Sequence, residues 1–211
     1  MRTDELIAVL AADPRRVAPP ARRLAIAMAV GGILALLGLI VALGSPIQPV
    51  AERGIARTVG KMSYPLAVGI IALLAALAAG RPGARVELRA ALLALPVLAV
   101  AVSAAIDLAD APVVTWYGML FGSTTVRCLA AVTLGSIPAF AALAWAFREL
   151  APIRPPAAGF LIGLAAGGVS AAAYALYCRE ASTAFLMATY TPAMLIPALA
   201  GGYLGGRLLR W

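Results

Sequence analysis

A chain of 211 residues that is 63% hydrophobic and only 12% charged is not an ordinary soluble domain, which is roughly half apolar and about a quarter charged. A helical membrane crossing needs ~20 apolar residues, so this length allows about six crossings and excludes a large soluble domain. The formal net charge of +8 fits loop cations that orient a membrane protein and touch anionic lipid, not nucleic-acid binding, and the lack of histidine removes the commonest metal ligand and acid–base group together.

In chain order, residues 1–23 form a polar head and residues 24–211 a transmembrane domain. Within the head, TDELIAVLAAD predicts a short helix. Thr3 is its N-cap, Asp4 and Glu5 favour the positive end of the helix dipole, and Leu6, Ile7 and Leu10 make one apolar face. Pro14 ends it, and VAPPARR follows as a stiff basic tether. The first apolar run, LAIAMAVGGILALLGLIVAL (24–43), is too long for a signal-peptide core and reads as a retained helix. Further runs follow at about Tyr64 to Ala79, with Pro65 in its first turn, and Ala90 to Ile106, with a kink expected at Pro96. The last three lie at about Arg127 to Phe147, Ala157 to Tyr177 and Phe185 to Leu204. The fold class is therefore all-α, a bundle of six transmembrane helices behind a short amphipathic head.

Six crossings put both termini on one side. That side carries 12 cationic residues (Arg2, Arg15, Arg16, Arg22, Arg23, Arg81, Arg85, Arg89, Arg148, Arg154, Arg207 and Arg210). The other carries 5: Arg53, Arg57, Lys61, Arg127 and Arg179. The excess predicts cytoplasmic termini. Cys128 and Cys178, the only two cysteines, then share the outer face, at the start of the fourth helix and the end of the fifth.

Two cysteines allow one bridge, one two-thiol site, or simple packing. Cys128, in the first turn of its helix beside Arg127, has two local reasons to ionise first, whereas the helix dipole opposes a thiolate at Cys178 and Arg179 favours one. An oxidising outer compartment permits a bridge. A thiol pair also suits a soft metal ion, with Glu180, Asp107 or Asp110 as added oxygen ligands. The centres of the six runs hold no charged residue, which argues against ion-coupled transport. GGYLGG (201–206) gives small-residue spacings that permit close helix packing, with dimerisation as a lesser use. Phosphate-binding glycine loops, HExxH and nucleophile elbows are absent, so no enzyme is indicated.

The N-terminal helix with its Pro/Arg tether, the six spans, the cysteines of VRCLAA and YCRE, and the closing GGRLLRW together resemble the NrsF family of membrane-bound anti-sigma factors. The resemblance implies a non-enzymatic regulator that holds an extracytoplasmic-function sigma factor at the membrane and binds no DNA itself. It makes Cys128 and Cys178 the sensing pair, releasing sigma under heavy-metal or oxidative stress. It implies no resident cofactor, only a transient heavy-metal ion at the two thiols. The head, through Asp4, Leu6, Ile7 and Leu10, becomes a candidate sigma-binding element, its small apolar face suiting a helix-in-groove contact or, alternatively, the lipid surface. Two other readings of the chain stand beside this one: a periplasm-facing thiol oxidoreductase of the quinone-linked kind, disfavoured by the lack of CxxC, and a small transporter.

Overall fold

The computed structural model describes residues 19–81, 84–150, 152, 154–180 and 182–209. The predicted N-terminal helix, with Asp4, Leu6, Ile7 and Leu10, lies outside them. Among the described residues the architecture is helical without a strand, and six stretches are long and apolar enough to cross a membrane. The first is α1 (Pro20–Leu43), opened by Pro20 at a position where no N–H is needed. A short α2 (Ile47–Arg53) precedes the second span, α3 (Ile55–Ala79). The third span is split into α4 (Val86–Ala91) and α5 (Ala94–Ala109). After α6 (Trp116–Leu120), α7 (Thr125–Phe147) and α8 (Pro155–Ala175) form the fourth and fifth spans. The sixth is composite: α9 (Thr183–Phe185), a π-helical turn at Leu186–Tyr190, and α10 (Thr191–Leu208).

Three of the spans carry features that hydropathy alone does not give. The second helix begins nine residues earlier than hydropathy suggests, because Gly54, with φ of 85°, reverses the chain there and Ile55 starts a new helix at once. Arg57 and Lys61 therefore sit on a helix instead of in a loop, and Pro65 lies inside the helix, not in its first turn. The third span breaks at Leu92 and Leu93, upstream of Pro96. A proline ring clashes with the carbonyl four residues before it, here that of Leu92, and three-residue turns replace the helical ladder. In the sixth span Pro192 withholds the N–H that the Ala188 carbonyl needs, and the ladder widens into a π-turn just upstream.

The bundle is organised around α8, which packs against α10, α3, α7 and α1, while α1 lies along α7. Small residues make this possible. A Cβ at Gly159 would collide with the Gly201 carbonyl, and one at Gly163 with that of Pro197, so α8 and α10 meet backbone to backbone. Gly201 and Gly205 thus spend their small-residue spacing on packing within the chain. The α4–α5 span sits at the rim with Leu88, Leu95, Leu98, Val102 and Ile106 exposed.

Candidate functional site: a buried thiol pair

The end of the bundle remote from Pro20 and Leu208 gathers the start of α7, the end of α8, the π-turn and the upper turns of α3. Cys128 sits one turn into α7 and Cys178 three residues past the end of α8; both are buried, with exposures of 0% and 1%, and neither is in a disulfide. Cys128 lies close enough to Cys178 and Lys61 for the three to interact electrostatically, and the rings of Tyr174 and Tyr190 lie within the same reach of both sulfurs. The two rings contact each other at 6.4 Å between centroids, and Phe185 meets Tyr190 edge-on at 6.1 Å. The Tyr190 hydroxyl has no partner at good hydrogen-bond geometry and reaches the Cys178 sulfur only loosely. Both thiols thus lie within reach of the same aromatic rings, beside a π-turn, a local irregularity frequent at functional sites.

The charged residues around the pair divide their work. In the LYCRE segment, Cys178 turns toward α3, where the Lys61 ammonium donates to the Cys178 carbonyl at 3.2 Å and lies 3.7 Å from its sulfur. A cation at the end of α8 matches the partial negative charge of that terminus. Arg179 turns outward to Glu52 at 3.8 Å, an exposed pair. Glu180 reaches across to accept hydrogen bonds from Ser123 at 3.4 Å and Thr124 at 3.3 Å, placing a carboxylate at the start of α7. Gly122 leaves room for that carboxylate, since a Cβ there would strike it.

Asp107 is used elsewhere. Its carboxylate accepts from the Thr183 N–H at 3.0 Å and the Thr183 hydroxyl at 2.6 Å, tying the end of α5 to the start of the sixth span. Asp110 is exposed at the C-cap of α5. Neither aspartate nor Glu180 joins the sulfurs, and among the described residues no three of His, Cys, Asp and Glu converge as metal ligands. The expected oxygen-assisted metal site is therefore not built; a soft ion would meet two sulfurs alone.

The local reasons for ranking Cys128 as the readier thiolate also change. Its N–H is already bonded to the Thr124 carbonyl at 2.8 Å, so it is not one of the free amides of the α7 terminus. Arg127 is exposed and lines an apolar groove between α1 and α7. The cation in contact with a sulfur is Lys61, which the sequence reading counted only as a loop charge. One signal pointed to it: Lys61 is the single lysine among 17 cationic residues. Where arginine serves every generic role, a lone compact ammonium marks a position with its own geometry.

The whole length of the chain has relatives. A family model described as "Negative regulator of sigma F", NrsF, matches residues 10–211. The chain belongs to the NrsF family. It is 37% identical over 220 residues to the probable anti-sigma-F factor NrsF of Azospira oryzae, with both chains covered completely. It is 36% identical over 219 residues to the anti-sigma-F factor NrsF of Caulobacter vibrioides, again over the full length of both. No solved structure matches this NrsF-family chain.

Proposed function

We propose that this chain is an inner-membrane anti-sigma factor that retains an extracytoplasmic-function sigma factor at the cytoplasmic face and releases it when the Cys128–Cys178 pair meets an oxidant or a thiophilic metal. The full-length family match supports the anti-sigma activity. The six apolar spans and the excess of cations on the side of the termini support the membrane location and orientation.

For the sensing role, the observation that carries most weight is the burial of both thiols, close enough to interact, at the end of the bundle remote from Pro20 and Leu208. A reaction there changes volume and polarity inside a packed cluster, and packed clusters respond by switching between discrete arrangements. In this reading Cys178, whose sulfur lies 3.7 Å from the Lys61 ammonium, reacts first, and Cys128 is its partner. Useful control of transcription requires different affinities for sigma in the two arrangements; a ~100-fold difference corresponds to about 2.7 kcal/mol. The head, residues 1–23, supplies a sigma contact through Leu6, Ile7 and Leu10.

The test is co-purification of a sigma factor from membranes, with and without residues 1–23, before and after exposure to a thiol-reactive agent. The parent is expected to retain sigma and to lose it on exposure; the truncated chain is expected to retain little. The Cys128→Ser, Cys178→Ser variant is expected to retain sigma throughout. Full release from that double variant would sink the sensing role, and a parent that carries no sigma would sink the anti-sigma reading itself.

A further inference from the structure

The thiol pocket is tied to the rest of the bundle at one turn of α3. Lys61 holds the carbonyl and sulfur of Cys178. Three residues on, the Tyr64 hydroxyl meets that of Thr191 at 2.7 Å, joining α3 to α10 just past the π-turn. Next to it, the Pro65 carbonyl faces Gly168 of α8 so closely that a Cβ there would stand 2.7 Å away. Within five residues α3 is thus fixed to the end of the fifth span, to its middle and to the sixth span.

Pro65 adds a second property. It carries no N–H and its ring crowds the carbonyl one turn earlier, so α3 has a bend point at this turn. Below the bend, α3 runs without interruption to Ala79. The whole helix is about 37 Å long at 1.5 Å per residue. At its far end a Cβ on Gly80 would stand 3.2 Å from the Leu150 side chain, in the connection between the fourth and fifth spans. A change in the bend at Pro65 therefore swings the arm below it as one unit and reaches the end of the bundle that carries Pro20 and Leu208. A cavity of about 470 Å³, walled in part by Arg57, Lys61, Arg179 and Glu180, opens beside Lys61 and gives the turn room to move.

We infer that Lys61 is the positioning residue of the thiol site: its contact with Cys178 holds α3 in the arrangement that retains sigma, and loss of that contact is the step that transmits the signal. The inference rests on the sensing role proposed above. A substituent on the Cys178 sulfur occupies the space in front of the ammonium and removes an acceptor. Lys61 then turns toward that cavity, α3 bends at Pro65, and the displacement arrives at Leu150.

The inference is tested in cells carrying the full-length chain, with sigma-dependent transcription and the amount of protein in membranes both recorded. Lys61→Met keeps the apolar stem and removes the ammonium. It is expected to raise uninduced transcription at least tenfold at unchanged membrane abundance. Lys61→Arg, which keeps charge and reach, is expected to stay repressed and inducible, a rescue that a mere filling role would not require. Arg57→Met, in the wall of the same cavity, serves as control and is expected to behave as the parent. A Lys61→Met chain that represses normally overturns the inference, whether or not it is inducible, and so does one that the arginine variant fails to rescue. If the methionine variant does not accumulate, Lys61→Gln replaces it, with the same two outcomes. The two ideas fail separately: normal repression and induction in Lys61→Met, beside a non-inducible Cys128→Ser, Cys178→Ser variant, removes the role of Lys61 and leaves thiol sensing intact.

Discussion

The fifth and third spans are both apolar, yet they live in different surroundings. In Pro155–Ala175, 78% of the hydrophobic window is buried within the chain; in Val86–Ala109 the share is 6%. Hydropathy ranks them the wrong way for a soluble protein, at 1.6 for the buried span and 2.3 for the rim. The reason is that lipid is as apolar as a protein interior, so hydrophobicity does not pull a helix to the centre. Size does. The fifth span offers Gly159, Gly163, Gly167 and Gly168, and neighbouring backbones approach it closely. The third offers Leu88, Leu92, Leu95 and Leu98, bulky side chains that hold neighbours off and mix well with acyl chains.

That contrast can be broken or sharpened by substitution. The largest effect is expected at Gly163→Leu, where even a Cβ meets the Pro197 carbonyl and relief needs backbone displacement. Such overpacking is expected to cost about 3 kcal/mol or more and to appear as lost membrane abundance and a lower melting temperature in detergent. An intermediate effect is expected at Tyr64→Phe, which removes the hydroxyl contact with Thr191 between α3 and α10. Thermal unfolding is expected to show a loss of about 1 kcal/mol, with little further loss when Thr191→Val is added. The smallest is expected at Leu98→Ala on the third span, within about 0.5 kcal/mol of the parent. A loss at Leu98 comparable to that at Gly163 would break the comparison, because it would mean that this face is covered by another protein surface in the membrane.

The thiol site shows the same division. Both cysteines, their shared face and the charges flanking them were legible from hydropathy and charge bookkeeping, which need only the alternation of crossings. Lys61 was not, because assigning it to a loop followed from ending the second helix at Tyr64. The helix continues to Ile55 because positive φ at Gly54 breaks the chain there and nowhere between, and polar residues at a membrane surface do not disfavour helix. The placement of Asp107 against Thr183 and of Glu180 against Ser123 and Thr124 was likewise out of reach: a carboxylate near the end of a run looks the same in sequence whether it ligates a metal, caps a distant helix or faces water.

By itself, then, the sequence determined six helices long and apolar enough to cross a membrane, and the placing of two thiols at one end of the bundle. Each depends on a local property, the hydropathy or charge of a short run, summed along the chain. Only the tertiary structure decided that α8 is the hub, that α4–α5 is the rim, and that the cation on Cys178 comes from 117 residues away. These depend on which backbones can approach each other, and close approach is a property of two surfaces at once, which no single run of residues encodes.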